Sequence, residues 1–168
     1  MGQILHLFNV YNIPVEWLTI YVGRKLGYLQ TKEINEYSIQ SILDNPNLND
    51  RILDLSWETD ELVLEEMLSE VVGGCNETSE EWQLELKKFR YIQLKELEKN
   101  AISKELLIRK IAEIYADFGY PQEMEKFIYY MPATDGFNPQ AHSSEENLDR
   151  LLEFFKEFLL EEASEITI

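Results

Sequence analysis

His6, His142 and Cys75 are the side chains with the widest reach in chemistry, the first two being the only histidines and the last the only cysteine. A helical metal site needs ligands repeated on one face, and neither histidine sits in a His-x-x-x-His or Glu-x-x-His arrangement. The run Asp44-Asn45-Pro46-Asn47-Leu48-Asn49-Asp50 is rich in oxygen ligands. Pro46 nevertheless occupies the third position of any calcium loop, and no glycine or closing glutamate falls where one is needed. Cys75 follows Gly73-Gly74 at a helix end rather than a helix start, where the dipole would lower a thiol's pKa. No Gly-x-Ser-x-Gly elbow, Walker loop or dinucleotide-type glycine pattern occurs. Carboxylate pairs such as Glu65 and Glu66 are too abundant to single out, because acid–base work needs a buried, perturbed carboxyl. The sequence therefore nominates no catalytic residue, no metal ligand and no cofactor.

What it does nominate is charge. Asp and Glu number 32 against 15 Lys and Arg, a net charge of -17. Such a field opposes nucleic acid and anionic membranes and favours encounter with a basic protein. From Asp44 to Glu70 nine acids accompany one base, Arg51, and from Glu145 to Glu165 eight acids accompany two bases. Between Lys87 and Lys110 the sign reverses, with eight bases. Three readings follow. The basic middle helices lie against the acidic flanks, one acidic face docks a basic partner, or the basic middle forms a stripe for nucleic acid, which the field of the whole chain opposes. The face nominated for docking is Asp54, Glu58, Asp60, Glu61, Glu65 and Glu66.

The elements that must position these residues are helices. The expected fold is all-α, a single domain over 1–168 of about seven to eight helices packed as hairpins, with 161–168 as a fraying tail. Ile4, Leu7, Phe8 and Tyr11 share one helical face. Pro14 suits the first turn of a helix carrying Trp17, Leu18, Tyr21 and Val22 and ending near Gly27. Thr31 is the expected cap of the next helix, with Ile34, Tyr37, Ser38 and Ile42. A short helix with Ile52, Leu53 and Leu55 follows, then Thr59 to Val72, stopped by Gly73-Gly74. Thr78 with Glu81, and Ser143 with Glu146, have the spacing of capping boxes. They open helices from about Trp82 to Leu97 and through Leu148, Leu151, Phe155 and Leu159. Between them run Ser103 to Phe118 and a helix from Pro121 through Met131, stopped by Pro132. Ala133 to His142 reads as the longest loop. Trp17, Tyr21, Tyr115, Phe118 and Phe127 are expected in the core. Asp117, on a last turn where the dipole disfavours it, calls for a cation, Arg24 or Lys25.

Two blocks carry a resemblance. Trp17-Leu18-Thr19-Ile20-Tyr21-Val22-Gly23-Arg24-Lys25-Leu26-Gly27, with Glu33-Ile34 and Tyr37, resembles the N-terminal signature of the bacterial family called domain of unknown function 2247. So does Ile114-Tyr115-Ala116-Asp117-Phe118-Gly119-Tyr120-Pro121, continuing through Met124, Phe127-Ile128 and Met131-Pro132. The resemblance implies a small bacterial cytoplasmic protein and brings no activity or catalytic residue with it. A single thiol excludes an internal disulfide, no apolar run reaches about 18 residues, and the N-terminus lacks a signal-peptide pattern. The cytoplasm is the expected compartment.

Three functional classes compete. The first is a non-enzymatic inhibitor or immunity protein that occludes a basic, nuclease-like toxin domain; its link to small acidic bacterial proteins is an analogy. The second is a structural or regulatory helical scaffold that self-associates or binds another protein. The third is an enzyme using scattered carboxylates and a metal.

Overall fold

The computed structural model describes residues 3–167, and among them the fold is all-α, with no strand. The helices are α1 (Gln3–Val10), α2 (Trp17–Lys25), α3 (Thr31–Asp44), α4 (Asp50–Leu55), α5 (Glu61–Val72), α6 (Glu80–Asn100), α7 (Lys104–Asp117) and α8 (Ser144–Ile166). Short 3₁₀ turns occupy Gln122–Phe127 and Pro139–Ala141. No helix of the described residues is long and apolar enough to cross a membrane. The described residues group into two compact units, 3–88 with Thr167, and 89–166, so the boundary falls within α6.

In the first unit, α3 lies against α4, and α5 against both α4 and α2. Phe8, Ile20, Ile34, Leu55, Leu64 and Leu68 are wholly buried. The helix starts differ from expectation by one to three residues, for local reasons. Glu16 is extended and its N–H donates to Thr19 Oγ1 at 3.0 Å, so α2 begins at Trp17 and Pro14 stands outside it. Gln30, not Thr31, is the N-cap of α3: its backbone is extended and its N–H donates to Glu33 Oε2 at 2.9 Å. Ser79 takes the place expected of Thr78, its Oγ accepting from the Trp82 N–H at 3.2 Å while the Thr78 hydroxyl turns to Asn76 Oδ1.

In the second unit, α8 packs on α7 and on the Gln122–Phe127 turn. Phe89, Ile92, Ile111, Met124, Phe127 and Phe155 form its core. Ser103 caps α7, accepting from the Leu106 N–H at 3.1 Å. The box before α8 is complete: Ser143 N–H donates to Glu146 Oε2 at 2.7 Å and Glu146 N–H to Ser143 Oγ at 3.1 Å. The helix expected from Pro121 to Met131 is instead the 3₁₀ turn, and Ile128 is extended. Three residues per turn align Met124 with Phe127, which are both buried, and Ile128 is buried without continuing the spiral. The tail expected to fray at 161–168 is helical through Ile166, because Glu162 and Ile166 are buried.

Candidate protein-binding surface

The nominated acidic face is largely occupied by internal work. Glu65 Oε1 accepts from Arg24 Nε at 3.2 Å, and Lys25 Nζ stands 3.7 Å from its Oε2. Arg24 also reaches Glu61 at 3.7 Å and donates to the Leu29 carbonyl at 3.3 Å. Asp60 is the N-cap of α5, its Oδ1 accepting from the Leu62 and Val63 N–H groups. Glu58 Oε1 accepts from the Thr59 and Asp60 N–H groups, both at 2.8 Å. Asp54 lies 3.7 Å from Arg51, which also binds Glu70 at 2.7 Å. Of the six, Glu66 alone is both exposed and outside these contacts.

The basic middle is similarly committed. Arg90, almost wholly buried, pairs with Glu162 and, at 3.0 Å, with Glu123. Lys104 reaches Asp149 at 2.6 Å and Glu145 at 3.6 Å. Both contacts run to the C-terminal acidic block. Lys88, Lys95 and Lys110 pair one turn along their own helices, with Glu85, Glu98 and Glu113. The first acidic block draws its cations from Arg24, Lys25 and Arg51 instead. Asp117 does not have the partner expected for it: Arg24 and Lys25 serve α5, and Asp117 is exposed.

Each unit carries a large concavity. The first, about 970 Å³, is lined by Leu5, Ile13, Pro14, Glu33, Tyr37 and Asp44 among others. Tyr37 donates to the Val15 carbonyl at 3.1 Å and meets the Trp17 ring edge-on. Burial, then the charge of Glu16, raises its phenol pKa. The second, about 650 Å³, includes Glu125, Tyr129, Met131, Asp135, Phe137 and Arg150 in its wall. Here Arg150 fastens the loop before α8. Its guanidinium lies 4.1 Å from the Phe137 ring centre and 4.9 Å from that of Phe154, and it donates to Asp135 Oδ2 at 2.6 Å. That hydrogen bond, and one from the Phe137 N–H, hold the Asp135 carboxyl below its ordinary pKa. His142 stacks on Phe137 at 4.6 Å.

Beside this groove stands an array of tyrosines that the sequence pattern did not flag. Tyr115 and Tyr120 are 5.3 Å apart at 80°, Tyr115 and Tyr130 6.5 Å at 56°, and Tyr129 and Tyr130 5.1 Å at 84°. Tyr115 is buried, but Tyr120, Tyr129 and Tyr130 are 62%, 55% and 52% exposed. Burial, then the charge of Glu125 and the neighbouring Tyr130 and Tyr120, raises the Tyr115 phenol pKa. The available signal was the adjacent pair Tyr129-Tyr130, which falls off the buried stripe of Met124, Phe127 and Ile128. Among the described residues, no group of three or more His, Cys, Asp and Glu is placed to hold a metal ion. His6 is exposed on α1, and Cys75 Sγ lies 3.3 Å from Ser79 Oγ.

These features describe an all-α, acid-rich protein whose most distinctive surface is aromatic. The chain belongs to the family described as "uncharacterized protein conserved in bacteria (DUF2247)", whose family model matches residues 5–163. No curated protein and no solved structure matches it.

Proposed function

We propose that this chain is a non-enzymatic binding protein that occludes a basic protein surface, as an inhibitor or immunity protein for a nuclease-like toxin domain would. One observation carries the reading: most of the cations are spent on internal pairs, so the surplus behind the net charge of -17 remains uncompensated. Glu66, Glu80, Glu81, Glu105, Asp117 and Glu153 are among the exposed acids. Carboxylates so arranged steer a basic partner into contact, while aromatic anchors slow its departure. The test is co-expression with the protein encoded by the neighbouring gene. A complex that purifies at low salt, weakens as salt rises and silences the partner's activity is expected; no complex at low salt overturns the proposal.

Exposed apolar residues favour a second reading, a scaffold that associates with itself. Trp57 and Leu62, 60% and 77% exposed, both lie in the first unit. Sedimentation at several concentrations separates the two: a monomer throughout supports the inhibitor, and a concentration-dependent dimer supports the scaffold.

A further inference from the structure

The second unit already shows how it holds a guanidinium. Arg150 lies over Phe137 and Phe154 and is anchored by Asp135. Arg90 lies 5.2 Å from the Phe158 ring centre and is anchored by Glu162 and Glu123. Each is a cation on an aromatic face with a carboxylate at its edge, an arrangement in which ring quadrupole and carboxylate charge act on the same group.

The tyrosine array has the same parts. Its rings succeed one another at steep angles, and three are more than half exposed. Glu125, half-buried on the 3₁₀ turn, is close enough for its charge to act on the Tyr115 phenol. No lysine or arginine of the described residues lies over these four rings.

Tyr120 adds an independent observation. Its φ is +61°, and it precedes Pro121. A bulky side chain in the left-handed region costs roughly 1–2 kcal/mol, and a following proline disfavours the helical side of the map further. Glycine would make this turn without that cost. The ring is not kept there for burial, since it is 62% exposed. Backbone strain that burial does not explain is a mark of function.

We propose that Tyr115, Tyr120, Tyr129 and Tyr130, with Glu125, form the seat for an arginine side chain presented by the basic partner protein. The partner's chemistry rests on the function proposed above; the seat is what these residues add. Arginine is the occupant rather than lysine because a planar, weakly hydrated guanidinium stacks on rings and meets a carboxylate edge-on, whereas an ammonium holds its water.

The test uses the intact chain and two labelled peptides of equal charge, one arginine-rich and one lysine-rich, at low salt. Tyr130→Ala and Glu125→Gln are expected to weaken the arginine peptide about tenfold, with Glu77→Gln, at an exposed acid of the first unit that has no part in the proposed binding surface, changing it less than about twofold. The lysine peptide is expected to bind more weakly and to respond little to Tyr130→Ala. Tyr120→Gly, which keeps the turn, checks that the loss follows the ring and not the fold. Unchanged binding in Tyr130→Ala and Tyr120→Gly, with equal losses in both acid variants, overturns the seat and leaves the binding function standing. A lysine peptide bound as tightly as the arginine one overturns the choice of occupant. No binding of either peptide to the unaltered chain overturns the binding function itself.

Discussion

Tyr120 separates backbone cost from side-chain gain. A Cβ is the source of the strain at its φ of +61°, so alanine retains the strain and glycine removes it. Tyr120→Gly is therefore expected to be more stable than Tyr120→Ala by about 1 kcal/mol, read from urea midpoints at constant m-value. The reverse order would mean that the turn is not held in the left-handed region. A second residue-level prediction concerns Ser143 and Glu146. Hydrogen bonds from the Ser143 backbone and hydroxyl, with a smaller contribution from the His142 charge, lower the Glu146 pKa. A carboxyl with a depressed folded-state pKa gives stability that is complete above its unfolded value, about 4.3, and is lost as pH falls through the lower folded value. Glu146→Gln should flatten the acid limb of the stability–pH curve while leaving its neutral slope unchanged. Ser143→Ala should cost about 1 kcal/mol at neutral pH, as loss of a cap does.

Between elements, the strongest electrostatic tie is Arg90 of α6 with Glu162 of α8, both almost wholly buried. Removing one partner strands a charge away from water, so Arg90→Met should cost about 3–5 kcal/mol. Replacing both by apolar residues of similar volume should recover much of that loss, and a double-mutant cycle measures the coupling. Such a tie is invisible in sequence: Arg90 and Glu162 are both members of long charge runs, and only packing tells them from Lys87 or Glu161. Local signals were legible. Ser103, Ser143 with Glu146, and Gly73 mark helix ends by residue type and spacing, and each does so in the structure. Asp60 has the residue type of a cap as well as a charge that suits the docking face, and in the structure it caps α5. Trp17 and Tyr21 are only half-buried where core positions were expected, because α2 turns Thr19, Ile20, Val22 and Gly23 inward, and Phe118, at the C-terminal end of α7, is half-buried as well. Aromatic side chains raise the apolar weight of a helix without fixing which face turns in. Charge counts likewise do not reveal that Arg24 spans to Glu61 and Glu65 of α5.

At the scale of the whole chain, a net charge of -17 presses outward on the fold. Salt screens that repulsion, so Tm at neutral pH should rise between low and moderate ionic strength. A Tm that falls would mean the internal ion pairs outweigh the net field. The boundary inside α6 has a further consequence. Trp17, Trp57 and Trp82, all the tryptophans of the chain, belong to the first unit. Indole emission is therefore a reporter for one half of the molecule, while far-ultraviolet ellipticity reads both. One uninterrupted helix contributes Trp82 to the first half and Phe89 and Ile92 to the second, all buried. Melting either half would leave part of that rod bare, so the two optical signals should collapse together on heating, and a lag between them would expose halves that let go separately.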